Sequence, residues 1–229
     1  MDWVSFWDGA HSIYVSDRHK QVHYARITAD ITALVPRPDA RVLDYGCGEA
    51  LGAQDLSRSC GALALADAAP TIRAKLKQRF AGEAKISVLS PEETAALPSG
   101  SMDVVIVNSL LQYLSRADLV GLLSVWRRLL APDGALVIAD VIPPDVSAIQ
   151  DATALLTFAA REGFLIAAFV GLARTAVSPY RKLRADLGLS TYAEPEIMAL
   201  IAAAGFSVER LPTNIGHNQR RMAFRAVPR

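Results

Sequence analysis

Short apolar runs alternate with helical segments over the first 144 residues, and this alternation restricts the fold more than any other feature. Five runs have the length and composition of buried strands, at residues 40–46, 61–67, 85–90, 102–111 and 135–144. Helical patterns precede or separate them at 18–35, 71–82 and 117–134. Strands that are apolar on both faces indicate a parallel sheet covered by helices on both sides. Right-handed crossovers make such a sheet doubly wound, so the predicted class is α/β.

The alternation stops after Pro143-Pro144 and resumes near the C-terminus. Residues 145–190 contain no clear strand and predict two or three helices, inserted after the fifth strand. A further helix is predicted from Glu194 to Gly205, followed by strand-like segments at 206–212 and 220–228 that would form an antiparallel pair. We therefore expect seven strands in a single domain over residues 1–229, with an N-terminal cap helix region at 1–35.

The amino-acid composition limits the cellular compartment and the kinds of partner that we expect for this protein. The formal net charge of +1 gives no field that would attract nucleic acid. Two cysteines cannot form a disulfide framework and are typical of a reducing cytoplasm. The N-terminus has no signal-peptide pattern, and the longest uncharged apolar run, 163–173, is shorter than the roughly 20 residues that span a bilayer. We expect a cytoplasmic protein without a transmembrane segment.

A glycine-rich turn, VLDYGCGEALG at residues 42–52, follows the first predicted strand. Ligands of doubly wound sheets bind at the carboxyl ends of strands, where this turn would lie. A dinucleotide turn would have a third glycine where Leu51 stands, and Asp44 and Glu49 would repel a pyrophosphate. The same carboxylates favour a cofactor that bears an ammonium or sulfonium group. Asp67 ends the second strand, in position to accept hydrogen bonds from the hydroxyls of a ribose.

These segments resemble the motifs of class I S-adenosylmethionine-dependent methyltransferases. VLDYGCGEALG resembles their first motif and LADAAP their second, while PEETAALPSGSMDVVIVNSLLQYL and LLAPDGALVIADVIPP are similar to their fourth and fifth strand regions. The similarity covers about residues 38–142 and 194–228, and it is closest to the type 11 group that includes quinone-biosynthesis enzymes. It implies a Rossmann-like fold, S-adenosylmethionine as cofactor and methyl transfer as the activity.

The resemblance also implies a set of cofactor-binding residues. They are Asp44 for the amino group, the backbone at Gly46, Cys47 and Gly48 for the methionine part, Asp67 for the ribose, Ala68 for the adenine ring and Asn108 for the methionine portion. An acid near the adenine amine would be Glu92 or Glu93, of which Glu93 is favoured because it lies four residues before Leu97-Pro98.

The N-terminal helix region supplies further candidates. His19 and His23 lie four residues apart, which is also a metal-ligand spacing, but no zinc-like Cys, Asp or Glu motif accompanies them. We therefore expect a helix face over the cofactor and no metal. Tyr14 and Arg18 are cofactor-binding candidates, and Arg18 could either bind the cofactor carboxylate or remain in solvent.

The insertion at 145–190 leaves three roles open: a substrate-covering lid, a homodimer interface or a helix on a membrane surface. A lid is favoured because insertions at this place cover the active site in the family, and its apolar character suggests a small hydrophobic or aromatic acceptor.

His217, in the loop between the last two strands, is the catalytic base candidate, with an exposed loop histidine as the alternative. A non-catalytic, cofactor-binding partner subunit or pseudo-enzyme is the alternative function, with 145–190 as its protein interface. An NAD-dependent oxidoreductase is disfavoured by Leu51 and Asp44.

Overall fold

The computed structural model describes residues 3–9, 14–175 and 188–229, and its centre is one seven-stranded sheet. The strands are β1 (Arg41–Tyr45), β2 (Ala62–Ala66), β3 (Ile86–Leu89), β4 (Met102–Asn108), β5 (Leu130–Val141), β6 (Phe206–Arg210) and β7 (Met222–Pro228). Their order is β3-β2-β1-β4-β5-β7-β6. Pairs among β1 to β5 are parallel, whereas β7 runs antiparallel to both β5 and β6. The predicted α/β class and the closing antiparallel pair are confirmed.

Helices cover both faces of this sheet. The helices of the described residues are α1 (Trp3–Trp7), α2 (Asp17–Thr32), α3 (Ala53–Arg58), α4 (Pro70–Arg79), α5 (Pro91–Ala95), α6 (Arg116–Leu129), α7 (Ala148–Glu162), α8 (Leu165–Thr175) and α9 (Glu194–Ala203), with a 3₁₀ turn at Leu111–Tyr113. One core contains Trp126 of α6 and Ile197 of α9, and the other contains Ile31 of α2 and Leu76 of α4. The apolar runs of the sheet are therefore buried on both sides.

The helix before β5 ends earlier than its sequence pattern predicts. The predicted helical pattern runs over 117–134 and ends at the turn-forming sequence Pro132-Asp133-Gly134, but α6 ends at Leu129 and β5 begins at Leu130. Leu130 is already extended and pairs with Met102 of β4, and an irregularity in the register follows. Pairing with β4 thus overrides the turn chemistry of the Pro-Asp-Gly sequence.

The insertion after β5 forms two helices within the described residues. Ser147 and Gln150 form a capping box that begins α7, and Gly163, with φ of +80°, ends it. α8 packs beside α7, and residues 176–187 of the predicted insertion lie outside the described residues. In the parts of the chain that the structure describes, no helix combines the length and apolar character needed to cross a bilayer.

Candidate active site

A cavity of about 460 Å³ opens at the carboxyl ends of the parallel strands. The chain runs outward from β1 to β3 on one side and through β4 and β5 on the other, so the direction of winding reverses between β1 and β4. Clefts at such a reversal are where open α/β sheets bind their ligands. Side chains from α1 and α2 close the cavity from above, and Leu189 lines it from the segment before α9.

The glycine turn after β1 forms part of the wall. Gly46 and Gly48 have φ of +79° and +56°, in the left-handed region that a glycine adopts readily. The turn is fixed to β2, because the Gly46 amide donates to the Ala66 carbonyl oxygen at 2.7 Å. A Cβ on Gly52 would lie 1.8 Å from Thr28 Oγ1, so this glycine allows α2 to pack against the start of α3. In dinucleotide turns the third glycine permits close packing of a helix on a strand, whereas Gly52, one residue after Leu51, permits close packing of two helices.

Two carboxyl groups face the cavity from β1 and β2. Asp67 accepts hydrogen bonds from the Gly48 amide at 2.9 Å and the Ala69 amide at 2.8 Å, and burial raises its pKa. Asp44 is the residue before the last one of β1, and burial and then the charge of Asp67 raise its pKa to about 7. An adjacent cation would reverse this destabilisation of the ionised carboxyl, so the pair favours a positively charged ligand.

Three other predicted residues also line the cavity: Ala68, Asn108 and Tyr14. The Oδ1 atom of Asn108 is buried without a hydrogen-bond partner among the described residues, which makes it available to a ligand. Burial raises the pKa of Tyr14 to about 12, so its phenol is un-ionised. Cys47 lines the turn as a buried thiol whose pKa burial raises, which is the opposite of an activated nucleophile.

Arg18 and Glu93 do not line the cavity. The Arg18 side chain is 57% exposed, forms an ion pair with Glu162 at 3.8 Å and donates to its carbonyl oxygen. Glu93 accepts from the Ser90 amide at 2.6 Å in the capping box of α5, and Glu92 accepts from the Ser90 hydroxyl. Their side chains are occupied by local or inter-helix contacts, so neither enters the cofactor contacts proposed below.

His217 also lies off the cavity wall, within a histidine and phenylalanine cluster. Its ring stacks on Phe158 of α7 at 4.5 Å between centroids, and His19 stacks on Phe164 at 4.9 Å. His23 joins them at 5.9 Å from both other histidines and lines the cavity. Burial lowers the pKa of His19 to about 4 and that of His23 to about 3, and it lowers the pKa of His217 as well. The cluster is uncharged near neutral pH.

Among residues 3–9, 14–175 and 188–229, no group of three or more His, Cys, Asp or Glu side chains is arranged to hold a metal ion. Glu49, the second acid of the glycine turn, forms an ion pair with Lys20 of α2. This acid of the turn therefore helps to hold α2 in place.

A second polar group at the ends of β4 and β5 was missed by the sequence analysis. Ser109 and Asp140 both have positive φ, +57° and +59°, and the Ser109 hydroxyl donates to Asp140 Oδ2 at 2.8 Å. The Asp140 amide donates to Asn214 Oδ1 at 2.9 Å. Burial raises the pKa of Asp140, and the positive charge of Arg221 opposes this. Strained backbone at two adjacent strand ends is common at functional sites. The only sequence signal was an acid at the end of an otherwise apolar strand.

Comparison with known proteins identifies a methyltransferase domain in the central part of the chain. Residues 43–138 match a family model described as a methyltransferase domain. This region carries a methyltransferase domain, and the fold around it is that of class I methyltransferases. S-adenosylmethionine is the cofactor of this class, and the predicted family, enzyme class and cofactor are confirmed. No curated protein sequence matches the chain significantly.

Solved structures extend the methyltransferase fold beyond the matched region. Magnesium protoporphyrin IX methyltransferase from Synechocystis, with bound S-adenosylhomocysteine, is similar with a TM-score of 0.61 at 17% identity, over 98% of this chain and 92% of that one. A Burkholderia thailandensis 1,6-didemethyltoxoflavin N1-methyltransferase has a TM-score of 0.54 at 20% identity, over 90% and 78%. A Haloferax volcanii methyltransferase complexed with its Trm112 activator has a TM-score of 0.59 at 16% identity, over 100% and 98%.

The residues of this methyltransferase domain fit the cofactor of its class. A cation at Asp44 would relieve the cost of burying two neighbouring carboxyl groups. The buried Asn108 Oδ1 can accept a hydrogen bond that no described residue supplies. The left-handed glycines keep the wall between these groups free of side-chain atoms. The donor and acceptor atoms present therefore match an ammonium, a sulfonium and a ribose better than a pyrophosphate.

Proposed function

We propose that the protein transfers a methyl group from S-adenosylmethionine to a small apolar or aromatic acceptor, bound in the same cavity above β4 and β5. The observation that carries this proposal is the continuity of the cavity. It joins Asp44 and Asp67 at one end to Asp140 at the other, with apolar and aromatic walls between them. Cofactor and acceptor can therefore meet out of water.

The proposed cofactor contacts are those that line the cavity: Asp44 for the amino group, the turn at Gly46, Cys47 and Gly48 and Asn108 for the methionine part, Asp67 for the ribose, Ala68 for the adenine, and Tyr14 above them. When bound, the cofactor supplies a methyl group that is already electrophilic. Most of the protein's contribution is then to align the acceptor and to exclude water.

Aromatic side chains form the cover over this site. Trp3 and Trp7 of α1 contact Tyr113 at 4.7 Å and 5.5 Å between ring centroids, and all three line the cavity. The Asp8 carboxylate accepts from the Thr71 amide and ties α1 to the start of α4. This arrangement supports an acceptor that is flat and largely apolar.

Asp140 is the group best placed to accept a proton from an acceptor O–H or N–H. It lines the cavity, and its carboxyl group is oriented by the Ser109 hydroxyl. The Asp140 carboxylate would take up the proton that the acceptor oxygen or nitrogen loses on methylation, and S-adenosylhomocysteine would be the leaving group. Because burial raises the pKa of Asp140, the group is a stronger base than an exposed aspartate.

The test compares Asp140→Asn with Asp145→Asn, an exposed acid five residues away. Turnover on a panel of phenols and anilines should fall about 10²- to 10⁴-fold in the first variant, and cofactor affinity by calorimetry should be unchanged. Asp145→Asn should behave as the wild type. If His217→Ala abolishes turnover while Asp140→Asn does not, the histidine predicted from sequence is the base instead.

A second candidate function is a cofactor-binding partner subunit, and the observation that favours it is an exposed apolar surface on α7 and α8. Ile149, Ile166 and Phe169 are 79%, 83% and 57% exposed. A partner subunit would bind S-adenosylmethionine but would not methylate any acceptor alone. Turnover by the purified chain, with its mass measured by light scattering, separates the two functions. A stable homodimer that is active would instead assign this surface to a second copy.

A further inference from the structure

Arg221 is a buried arginine whose hydrogen bonds within the fold are incomplete. Its side chain is only 10% exposed and lines the cavity just before β7. One nitrogen, Nη2, donates to both carboxylate oxygens of Asp151 in α7, at 2.9 Å and 2.8 Å. The other two nitrogens, Nε and Nη1, are buried and have no partner among the described residues.

Such unpaired donors are costly to bury. A guanidinium carries five N–H donors and remains charged at every physiological pH. The ion pair with Asp151 explains why the arginine is tolerated next to α7, but it does not use Nε or Nη1. Buried polar groups in native proteins nearly always have partners, so two orphaned nitrogens at a cavity wall indicate a group on a ligand.

The position of Arg221 assigns that ligand group to the acceptor and not to the cofactor. β7 lies three strand spacings from β1, about 14 Å away, whereas the cofactor acids are at the ends of β1 and β2. Val141 pairs with Met222, so Arg221 is beside the end of β5 and close to Asp140. An acceptor lying over β4 and β5 would therefore meet both residues.

The charges around Arg221 favour a neutral oxygen on the acceptor over an anionic one. Asp151 already neutralises Arg221, and Asp140 contributes a second carboxyl group nearby. A carboxylate on the acceptor would be repelled by these acids, whereas a neutral carbonyl oxygen would only accept hydrogen bonds. A hydrogen bond from a charged donor is stronger than one between neutral groups.

Resting on the function proposed above, we infer that the acceptor carries a carbonyl oxygen next to the group that is methylated. The carbonyl oxygen accepts from Nε or Nη1 of Arg221, and the neighbouring O–H or N–H faces Asp140. Because Nη2 of the same guanidinium holds Asp151, the first turn of α7 is held against the bound acceptor.

The experiment uses a matched pair of acceptors, ortho-hydroxyacetophenone and ortho-ethylphenol, which differ in a carbonyl oxygen. Wild-type kcat/KM should favour the ketone, and its binding to the protein saturated with S-adenosylhomocysteine should be tighter by calorimetry. Arg221→Lys retains a cation for Asp151 but removes the two free donors. It should reduce the preference about 10- to 100-fold in both measurements. Arg220→Lys, which changes an exposed neighbour, is the control.

Three results would overturn the inference. If the wild type methylates and binds both acceptors equally, the carbonyl is not recognised, although methyl transfer itself stands. If Arg221→Lys weakens S-adenosylhomocysteine binding and leaves the acceptor ratio intact, the arginine serves the cofactor carboxylate. If salicylate binds more tightly than ortho-hydroxyacetophenone, the site takes an anion. Lack of turnover on every acceptor would count against the proposed function, and calorimetry on the matched pair would still decide the role of Arg221.

Discussion

Replacing Asp44 with Asn tests the electrostatic basis of cofactor binding. The carboxyl group at the end of β1 faces the cavity, and burial together with Asp67 raises its pKa to about 7. Asparagine has nearly the same shape and can accept the same hydrogen bond, but it has no charge. The variant therefore isolates the contribution of the negative charge to binding of a positively charged amino group.

The effect of Asp44→Asn on the Kd for S-adenosylmethionine should depend on pH. The loss of an uncharged contact would not show this dependence. A hydrogen bond to a charged group contributes about 1.5–3 kcal/mol, so Asn should raise the Kd for S-adenosylmethionine roughly 10- to 100-fold at pH 7. Ionising a carboxyl group with a pKa of about 7 costs about 0.4 kcal/mol at pH 7 and about 2.7 kcal/mol at pH 5. The wild-type Kd should thus rise about tenfold per pH unit below 7 and meet that of the variant near pH 5.

Calorimetric titration between pH 5 and 7 checks this, because the α-amino group of the cofactor stays protonated over that range. Asp55→Asn, at an exposed acid on α3, is the control and should bind like the wild type. An Asp44→Asn variant that binds as tightly as the wild type at pH 7 would refute the charge argument. So would a loss of affinity that is the same at pH 5 and pH 7.

The raised pKa of Asp44 also predicts how the stability of the protein without ligand depends on pH. The folded-state pKa of Asp44 lies above its unfolded value of 3.8, so folding is favoured by protonation. The free energy of unfolding should therefore fall as pH rises from about 4 to about 7, by up to about 4 kcal/mol from this group. Asp44→Asn should be more stable than the wild type at pH 8 and similar to it at pH 4, as measured by urea unfolding.

Two further predictions concern stability. Gly52→Ala should lower the free energy of unfolding by about 1–3 kcal/mol in a urea titration, because the added Cβ would overlap Thr28 Oγ1. Gly82→Ala is the control and should be neutral, because no atom lies within 4 Å of its added Cβ. His19 and His23 have folded-state pKa values below the ordinary 6.5. The free energy of unfolding should therefore fall as pH drops from about 6.5 towards 4, by about 1.4 kcal/mol per pH unit for each histidine. His23→Gln should flatten this fall, and an unchanged slope would show that the ring is not buried in solution.

The sheet was predictable because each central strand is an apolar run bounded by turn residues. Burial on both faces leaves that pattern in the sequence. The short helices α1, α3 and α5 were not predicted, because five or six residues are too few to show a helical period. The end of α6 was missed for a different reason. Leu130 joins β5 through pairing with Met102, a contact between segments that are distant in sequence.

Local contacts limited the prediction of the site as well. The acid favoured for the adenine amine, Glu93, caps its own helix through Ser90, a role that the Ser-x-x-Glu spacing itself encodes. Arg18 is paired with Glu162, a residue 144 positions away, and His217 is stacked on Phe158 of the insertion. Neither contact can be deduced without knowing where α7 lies relative to α2 and to the loop between β6 and β7.

The two halves of the cavity explain why the donor can be identified from sequence and the acceptor cannot. The proposed cofactor contacts from Asp44 to Ala68 lie on two consecutive strands, so their spacing is a property of one β–α–β unit. Ser109, Asp140 and Arg221 come from three chain segments that meet because β5 lies between β4 and β7 in the sheet. Each of these residues alone is an ordinary serine, aspartate or arginine at the end of a strand. Their chemistry arises from the juxtaposition, and a change in the β6–β7 loop could therefore alter acceptor choice while the cofactor motif stays the same.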